Sequence, residues 1–212
     1  MSNNNLSIRK QKILLRKQVR KKLSQLSNEK IAQESITIQQ KLLSTTEYQN
    51  SRNISLYVHS LPLKEVHTDL IFKDIFGSTN RDKKVYIPYT TNFELGEMKM
   101  IRVYDFEDMK TLNKSAFSTL EPNLMYKEKL REDGEEQGLD LVIVPLLACD
   151  QNCKRLGRGK GFYDRFLSRA SQNNKLKMIG IALSDQIVEH VPINENDWVL
   201  DKIISSNQIF KK

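Results

Sequence analysis

The sequence predicts an α/β fold: a single domain on an open, mainly parallel sheet with helices on both faces. Three observations carry this. Leu139–Leu147 and Leu176–Leu183 are nearly unbroken apolar runs, as expected of strands buried on both faces. Segments with apolar residues at helical spacing alternate with strand-like ones along the chain. At 212 residues the chain can bury one sizeable core, and neither a linker nor an internal repeat divides residues 8–212.

Residues 1–7 read as a disordered N-terminus. Ile8, Leu15, Val19, Leu23 and Leu26 then recur at helical spacing, with Arg9, Lys10, Lys12, Arg16, Lys17, Arg20, Lys21 and Lys22 around them. No acidic residue precedes Glu29, so this segment has the composition of a mitochondrial transit peptide and equally of a basic membrane-surface helix. Ser27 can cap a second helix whose buried stripe is Ile31, Ile38 and Leu42, with Glu29 in its first turn. Asn53–Val58 is β-rich. Thr68 caps a helix through Ile71, Ile75 and Phe76, ended by Gly77.

Val85–Pro88 reads as a strand, and Glu97–Val103 alternates as a weaker one. Residues 105–122 are irregular, and Lys127–Gly138, charged and Gly-containing, reads as a mobile surface loop. Phe162, Phe166, Leu167 and Ala170 fall at helical spacing. Gln186–Val191 reads as a short helix, Pro192–Asp197 as a loop, and Trp198–Ile204 as a return to the sheet.

Hydrophobic residues make up 39% and charged residues 28%, the balance of a soluble globular protein. No apolar run approaches the roughly 20 residues that span a bilayer. The net charge of +8 allows two readings, nucleic-acid binding and attraction of small polyanions. Cys149, Cys153, His59, His67 and His190 have no zinc-site spacing, so the thiols read as reduced, in a cytosolic protein, and the histidines as structural.

Between the long apolar run and the helix that follows lies Arg155-Leu156-Gly157-Arg158-Gly159-Lys160-Gly161-Phe162-Tyr163-Asp164. A strand-to-helix turn of this kind presents helix N-terminal amides to an anion, and Gly157, Gly159 and Gly161 can each adopt positive φ. Arg158 and Lys160 add a planar fork and a point charge, both suited to phosphate. Asp164, about one helical turn away, is a candidate metal carboxylate. The spacing matches neither the P-loop nor the dinucleotide fingerprint.

The string closely resembles the signature of the 5-formyltetrahydrofolate cyclo-ligase family, also called methenyltetrahydrofolate synthetases. Lys12-Ile13-Leu14-Leu15-Arg16 resembles the K-x-x-x-R of that family's first helix. Val191-Pro192-Ile193-Asn194-Glu195-Asn196-Asp197, with Leu200-Asp201 after it, resembles its second motif. Glu47-Tyr48-Gln49, Ser55–Val58 and Glu65-Val66-His67-Thr68 resemble its middle, so the resemblance runs from Lys12 to about Ser205.

The resemblance implies a compact α/β sandwich with ATP as co-substrate and Mg²⁺ as cofactor. It implies that Lys12 and Arg16 contact nucleotide phosphates, and that Arg155, Leu156, Gly157, Arg158, Gly159, Lys160, Gly161, Phe162 and Tyr163 form the ATP loop. Arg158 to Phe162 would also face the folate, with Arg158 and Lys160 as the catalytic cations. Asp164 and Asp197 match the magnesium carboxylates. Val58 and Glu65 match folate-pocket positions, and Phe117 falls where some members carry Trp. Phe162 stands where Tyr is frequent, and the stretch from Val58 to Glu65 is longer than in related members.

The implied reaction is ATP-dependent cyclisation of 5-formyltetrahydrofolate to 5,10-methenyltetrahydrofolate. Such chemistry requires positioning and charge stabilisation rather than a protein nucleophile, and no Ser-His-Asp or Cys-His arrangement is evident. The expected partners are ATP and a reduced folate, with or without a polyglutamate tail, bound by a cytoplasmic or mitochondrial monomer that engages neither nucleic acid nor membrane. Two rivals stand beside this reading: an RNA-binding protein using the first helix and the glycine loop, and a different ATP-dependent ligase or kinase on a similar scaffold.

Overall fold

The structure, a computed structural model, describes residues 7–77, 82–115, 119–172 and 175–212. Most of the expected disordered N-terminus, and Phe117, lie outside the described residues. Helices α1 (Ile8–Ser24), α2 (Asn28–Leu43) and α3 (Thr46–Asn50) precede strand β1 (Asn53–Ser55). Helix α4 (Asp69–Phe76) leads into the hairpin of β2 (Lys84–Asn92) and β3 (Glu97–Val103). After α5 (Phe106–Met109) come two small hairpins, β4 (Asn113–Lys114) with β5 (Leu120–Glu121) and β6 (Met125–Tyr126) with β7 (Lys129–Leu130). Helix α6 (Gly134–Gln137), strand β8 (Leu141–Val144) and the hairpin of β9 (Ala148–Cys149) and β10 (Arg155–Leu156) follow. The chain closes with α7 (Phe162–Ala170), β11 (Lys177–Ala182), β12 (Lys202–Ser205) and β13 (Ile209–Lys211).

The main sheet has seven strands in the order β13-β12-β11-β8-β1-β2-β3. β12, β11, β8, β1 and β2 run parallel, and β13 and β3 are antiparallel edges. This is the expected open, mainly parallel sheet, and its two faces explain the apolar runs. In β8 all four residues are buried; Leu141 and Ile143 face one cluster, Val142 and Val144 the other. Val19 and Leu23 of α1, Ile31, Ile38 and Leu42 of α2, and Ile71, Phe72 and Ile75 of α4 cover the first face. Phe166 and Leu167 of α7 cover the second. Each large side chain so buried contributes about 1.5–3 kcal/mol relative to exposure.

Several local expectations are corrected. β1 ends at Ser55 rather than Val58: Leu56 N–H still donates to Tyr86 O, and the chain then leaves the ladder. β2 runs on to Asn92 because β3 pairs with it nearly throughout, so the weakly patterned Glu97–Val103 is a full strand. Ser27 Oγ accepts from Lys30 N–H at 3.1 Å, as a cap should. Thr68 makes no such cap; its hydroxyl donates to Tyr57 O at 3.0 Å and ties the preceding loop instead.

The expected helix over Gln186–Val191 is absent. A single 3-10 turn, Ser184–Gln186, is followed by extended chain whose Val188 N–H donates to Cys149 O at 2.8 Å. The buried Gln186 side chain accepts from Leu183 N–H at 2.8 Å and donates to Leu146 O at 2.7 Å, taking the place of helical bonds. Nor is Lys127–Gly138 a free surface loop. Arg131 is buried there and donates to both carboxylate oxygens of Asp108 at 2.5 Å, to Asn123 O at 2.6 Å and to Arg102 O at 2.9 Å.

Candidate active site

From the middle of the sheet the chain runs through β1, β2 and β3 in one direction and through β8, β11 and β12 in the other. The switch therefore lies between β1 and β8, and in open α/β sheets ligands bind outside the carboxyl ends of the strands at that point. A cleft of about 1620 Å³ opens there, bordered by Tyr57 and Val58 after β1, Pro145 after β8, the glycine string, and Asn194–Trp198. Lys12, Arg16, Val58, Glu65, Arg155 through Asp164, and Asp197 all line it. Phe117 lies outside the described residues.

The glycine string does not follow β8 directly: it begins as β10, the second strand of the β9–β10 hairpin. Asp150, fully buried at the hairpin turn, accepts from the backbone N–H of Asn152, Lys154 and Val191, and so anchors the Val191–Asp197 loop beside it. Cys149 and Cys153, in the same hairpin, are buried free thiols, and burial pushes both thiols up. Gly159 (φ 115°) and Gly161 (φ 74°) take left-handed conformations, whereas Gly157 does not. Gly161 opens α7 without a side-chain cap, an end whose dipole favours an anion. Helix α1 leans over the loop: Arg16 Nε donates to Gly157 O at 2.9 Å and Arg20 to Arg158 O at 3.4 Å. On the far side Lys160 Nζ sits 4.4 Å from the ring centre of Phe93, at the tip of the β2–β3 hairpin.

The two candidate metal carboxylates come from neighbouring segments, Asp164 from the first turn of α7 and Asp197 from the loop before β12. Asp164 Oδ1 accepts from Arg155 at 2.5 Å and from Trp198 N–H at 3.4 Å, which brings it against the residue after Asp197. Asp197 Oδ2 accepts from Asn194 N–H at 2.6 Å and pairs with Lys12 Nζ. Burial, then Arg20, lowers the Arg16 pKa, while Asp197 and Asp164 pull it back, so one guanidinium feels both carboxylates. Hard oxygen donors on a helix turn and a neighbouring loop, each paired here with a protein cation, are of the kind a magnesium ion takes.

A second wall is built around Glu65. Its Oε2 accepts from Ser60 N–H at 3.0 Å, and Arg158 lies 3.4 Å from Oε1 while donating to Leu63 O at 2.7 Å. Burial raises the Glu65 carboxyl above its usual range, with Arg158 partly opposing; burial likewise lowers Arg158, with Glu65 opposing. Among the described residues Ser60 Oγ and the Tyr163 hydroxyl are buried without a hydrogen-bond partner. Burial pushes the Tyr163 phenol far up, so it remains a donor. Of the two only Tyr163 lines the cleft, so a polar ligand there could supply a partner to its phenol.

Sequence reasoning missed Arg20, Trp198 and the Phe93 hairpin tip. The signal for Arg20 was present: Lys12, Arg16 and Arg20 recur every four residues and share one helix face. Nothing local marks Phe93, which reaches the site only through strand pairing.

Fold and cleft together define an α/β enzyme with a basic, glycine-lined cradle for a polyanion. The family model described as 5-formyltetrahydrofolate cyclo-ligase family matches residues 8–206. The 5-formyltetrahydrofolate cyclo-ligase of Mus musculus is 33% identical, over 90% of this chain and 91% of its own length. A mitochondrial 5-formyltetrahydrofolate cyclo-ligase of Arabidopsis thaliana is 30% identical, over 96% of this chain and 76% of its own length. The solved structure of Aquifex aeolicus 5,10-methenyltetrahydrofolate synthetase superposes with a TM-score of 0.74 at 28% identity, covering 94% of this chain and 92% of that one. The chain belongs to the 5-formyltetrahydrofolate cyclo-ligase family.

Among the described residues no helix is long and apolar enough to cross a membrane. The basic helix α1, transit-like in composition, packs Val19 and Leu23 into the core and places Lys12 and Arg16 on the cleft.

Proposed function

We propose that the chain catalyses the ATP- and Mg²⁺-dependent cyclisation of 5-formyltetrahydrofolate to 5,10-methenyltetrahydrofolate. The observation that carries this is the convergence, on one cleft, of four cations (Lys12, Arg16, Arg158 and Lys160), a positive-φ glycine loop and the Glu65 pocket. An N-formyl group is an amide, with a weakly electrophilic carbonyl and an oxygen that leaves poorly. Attack of the formyl oxygen on the γ-phosphorus of ATP breaks the bond to ADP and gives an imidate phosphate. N10 then attacks the imidate carbon, inorganic phosphate departs with that oxygen, and N10 loses its proton.

In this reading Lys12, Arg16 and the loop from Arg155 to Tyr163 hold the triphosphate. Arg158 and Lys160 oppose the charge that develops on the transferred group. Glu65 receives the donor edge of the pterin, Val58 and Phe162 flank the ring, and Phe117 is assigned to the same pocket by resemblance. Asp164 and Asp197 would hold the magnesium ion, which when bound offsets phosphate charge. The inward turn of Lys12 and Arg16, towards Asp197 and Gly157 O, favours a small polyanion over RNA as the ligand. The protein acts as a monomer on ATP and a reduced folate.

The direct test mixes protein, Mg²⁺, ATP and 5-formyltetrahydrofolate and follows the absorbance of the methenyl product. Its absence under conditions where the fold is intact refutes the assignment. Lys12→Ala and Arg16→Ala are each expected to remove a charge-assisted phosphate contact of about 1.5–3 kcal/mol, a loss of roughly ten- to a hundredfold in kcat/KM for ATP. Parental ATP kinetics in both would reduce α1 to a solvated face. Gly159→Val puts a β-branched side chain at φ 115° and towards the Arg16 guanidinium, 3.4 Å from the Cβ position. It is expected to give a folded protein with at least about tenfold weaker ATP binding by titration calorimetry; unchanged affinity would contradict the anion nest.

A further inference from the structure

We propose that His59, His67 and Asp69 form a second metal site, for a zinc-like transition dication, which clamps both ends of the segment carrying Glu65. One imidazole nitrogen from each histidine and a carboxylate oxygen of Asp69 lie within 4.8 Å of one another. None of the three lines the cleft. The two rings stack with centroids 4.4 Å apart and planes 25° from parallel, and His59 Nε2 is 3.8 Å from Asp69 Oδ2. His67 Nε2 is buried and has no hydrogen-bond partner among the described residues.

The surroundings prepare His59 as a ligand. Its Nδ1 accepts from Thr68 N–H at 3.4 Å and lies 3.4 Å from Thr68 Oγ1. Thr68 Oγ1 gives its own proton to Tyr57 O at 3.0 Å, which leaves its lone pairs facing the His59 ring. A hydrogen-bonded second nitrogen is the usual support of a metal-bound imidazole, and binding at Nε2 would move the His59 proton to Nδ1, beside Thr68 Oγ1. Burial, reinforced by His67 and opposed by Asp69, lowers the His59 pKa and so favours the neutral form that metals require.

Two imidazoles and one carboxylate suit zinc, cobalt or nickel, not the all-oxygen preference of magnesium. The exposed Asp69 side chain leaves the fourth position open to water. Bonds of about 2.0–2.1 Å put tetrahedral ligand atoms roughly 3.3 Å apart, so the side chains close by up to about 1.5 Å and the stacked rings splay. His59 precedes and His67 follows the turn in which Glu65 accepts from Ser60 N–H and Leu63 O receives Arg158. A dication there restrains the turn from outside the cleft. Sequence spacing gave no hint of this, because the extended chain from Val58 to Thr68 doubles back on itself.

The test uses the full, metal-stripped protein with Zn²⁺ by calorimetry and Co²⁺ by visible absorption. One ion per chain is expected, with a tetrahedral cobalt band, an affinity for zinc tighter than about 10 µM, and slower amide exchange across residues 60–66. The His59→Ala/His67→Ala double variant should bind at least about thirtyfold more weakly, and His67→Gln, a milder change that guards against misfolding, at least about tenfold. Asp164→Asn should bind zinc as the parent does. The site is refuted if the stripped protein takes up no ion at about 100 µM, or if His67→Gln, folded by circular dichroism, keeps parental affinity.

Discussion

Asp164→Asn and Asp197→Asn are each expected to lower methenyl formation by about a hundredfold or more and to raise the Mg²⁺ concentration needed for half-maximal rate. Asn preserves size and one accepting oxygen, so the hydrogen bonds from Trp198 and Asn194 can persist while the charge is lost. The two variants should differ in stability. Asp164 neutralises Arg155, whose side chain is only 3% exposed, so its replacement leaves a nearly buried cation unpaired at about 1–3 kcal/mol. The partner of Asp197, Lys12, is 12% exposed on a flexible stem and can turn to water when unpaired, so Asp197 should matter less to the fold. Magnesium titrations of initial rate at saturating ATP check the first effect, and denaturant unfolding without metal checks the second. Parental magnesium dependence in both variants would remove these carboxylates from the site.

Arg131→Met is expected to destabilise the protein by about 3–5 kcal/mol, the largest stability change foreseen for a single substitution here. Both side chains of the Arg131–Asp108 pair are wholly buried, and Asp108 also accepts from Tyr104 N–H at 3.0 Å. Burial would raise the Asp108 carboxyl, but hydrogen bonds from Arg131 and Tyr104 outweigh it and hold it below its ordinary 3.8. A depressed native pKa means stability that is complete above the ordinary value and is lost as pH falls through the native one. Urea midpoints of parent and variant, measured from neutral pH downward, test both the size and this slope. The pair is off the cleft, so a variant folded in the cold should keep its KM values.

What was legible in the sequence was whatever is encoded locally. β8 and β11 are buried on both faces and therefore read as unbroken apolar runs. The basic period of four on α1 and the glycine string describe their own geometry, apart from Gly157, whose φ is ordinary. What escaped depends on partners far away in the chain. Arg131 sits in the charged run Lys127–Asp133, which resembles a solvated loop until Asp108 is brought to it. Asp150 looks like a turn residue, yet it binds Val191 N–H, 41 positions on. The Gln186–Val191 segment has helical composition, but Cys149 O offers its backbone a better partner.

The reach of α1 over the glycine loop also fixes when the site can be assembled. Arg16 meets Gly157 O across 141 positions and Lys12 meets Asp197 across 185, so these contacts close loops that span most of the chain. Closing such loops is entropically expensive, and local pairings such as the β2–β3 hairpin can form without them. A nascent chain therefore carries α1, cations exposed, until partners 141 and 185 positions further on have emerged. Competence to bind is then acquired late in folding, when α1 docks against the glycine loop and the Val191–Asp197 loop.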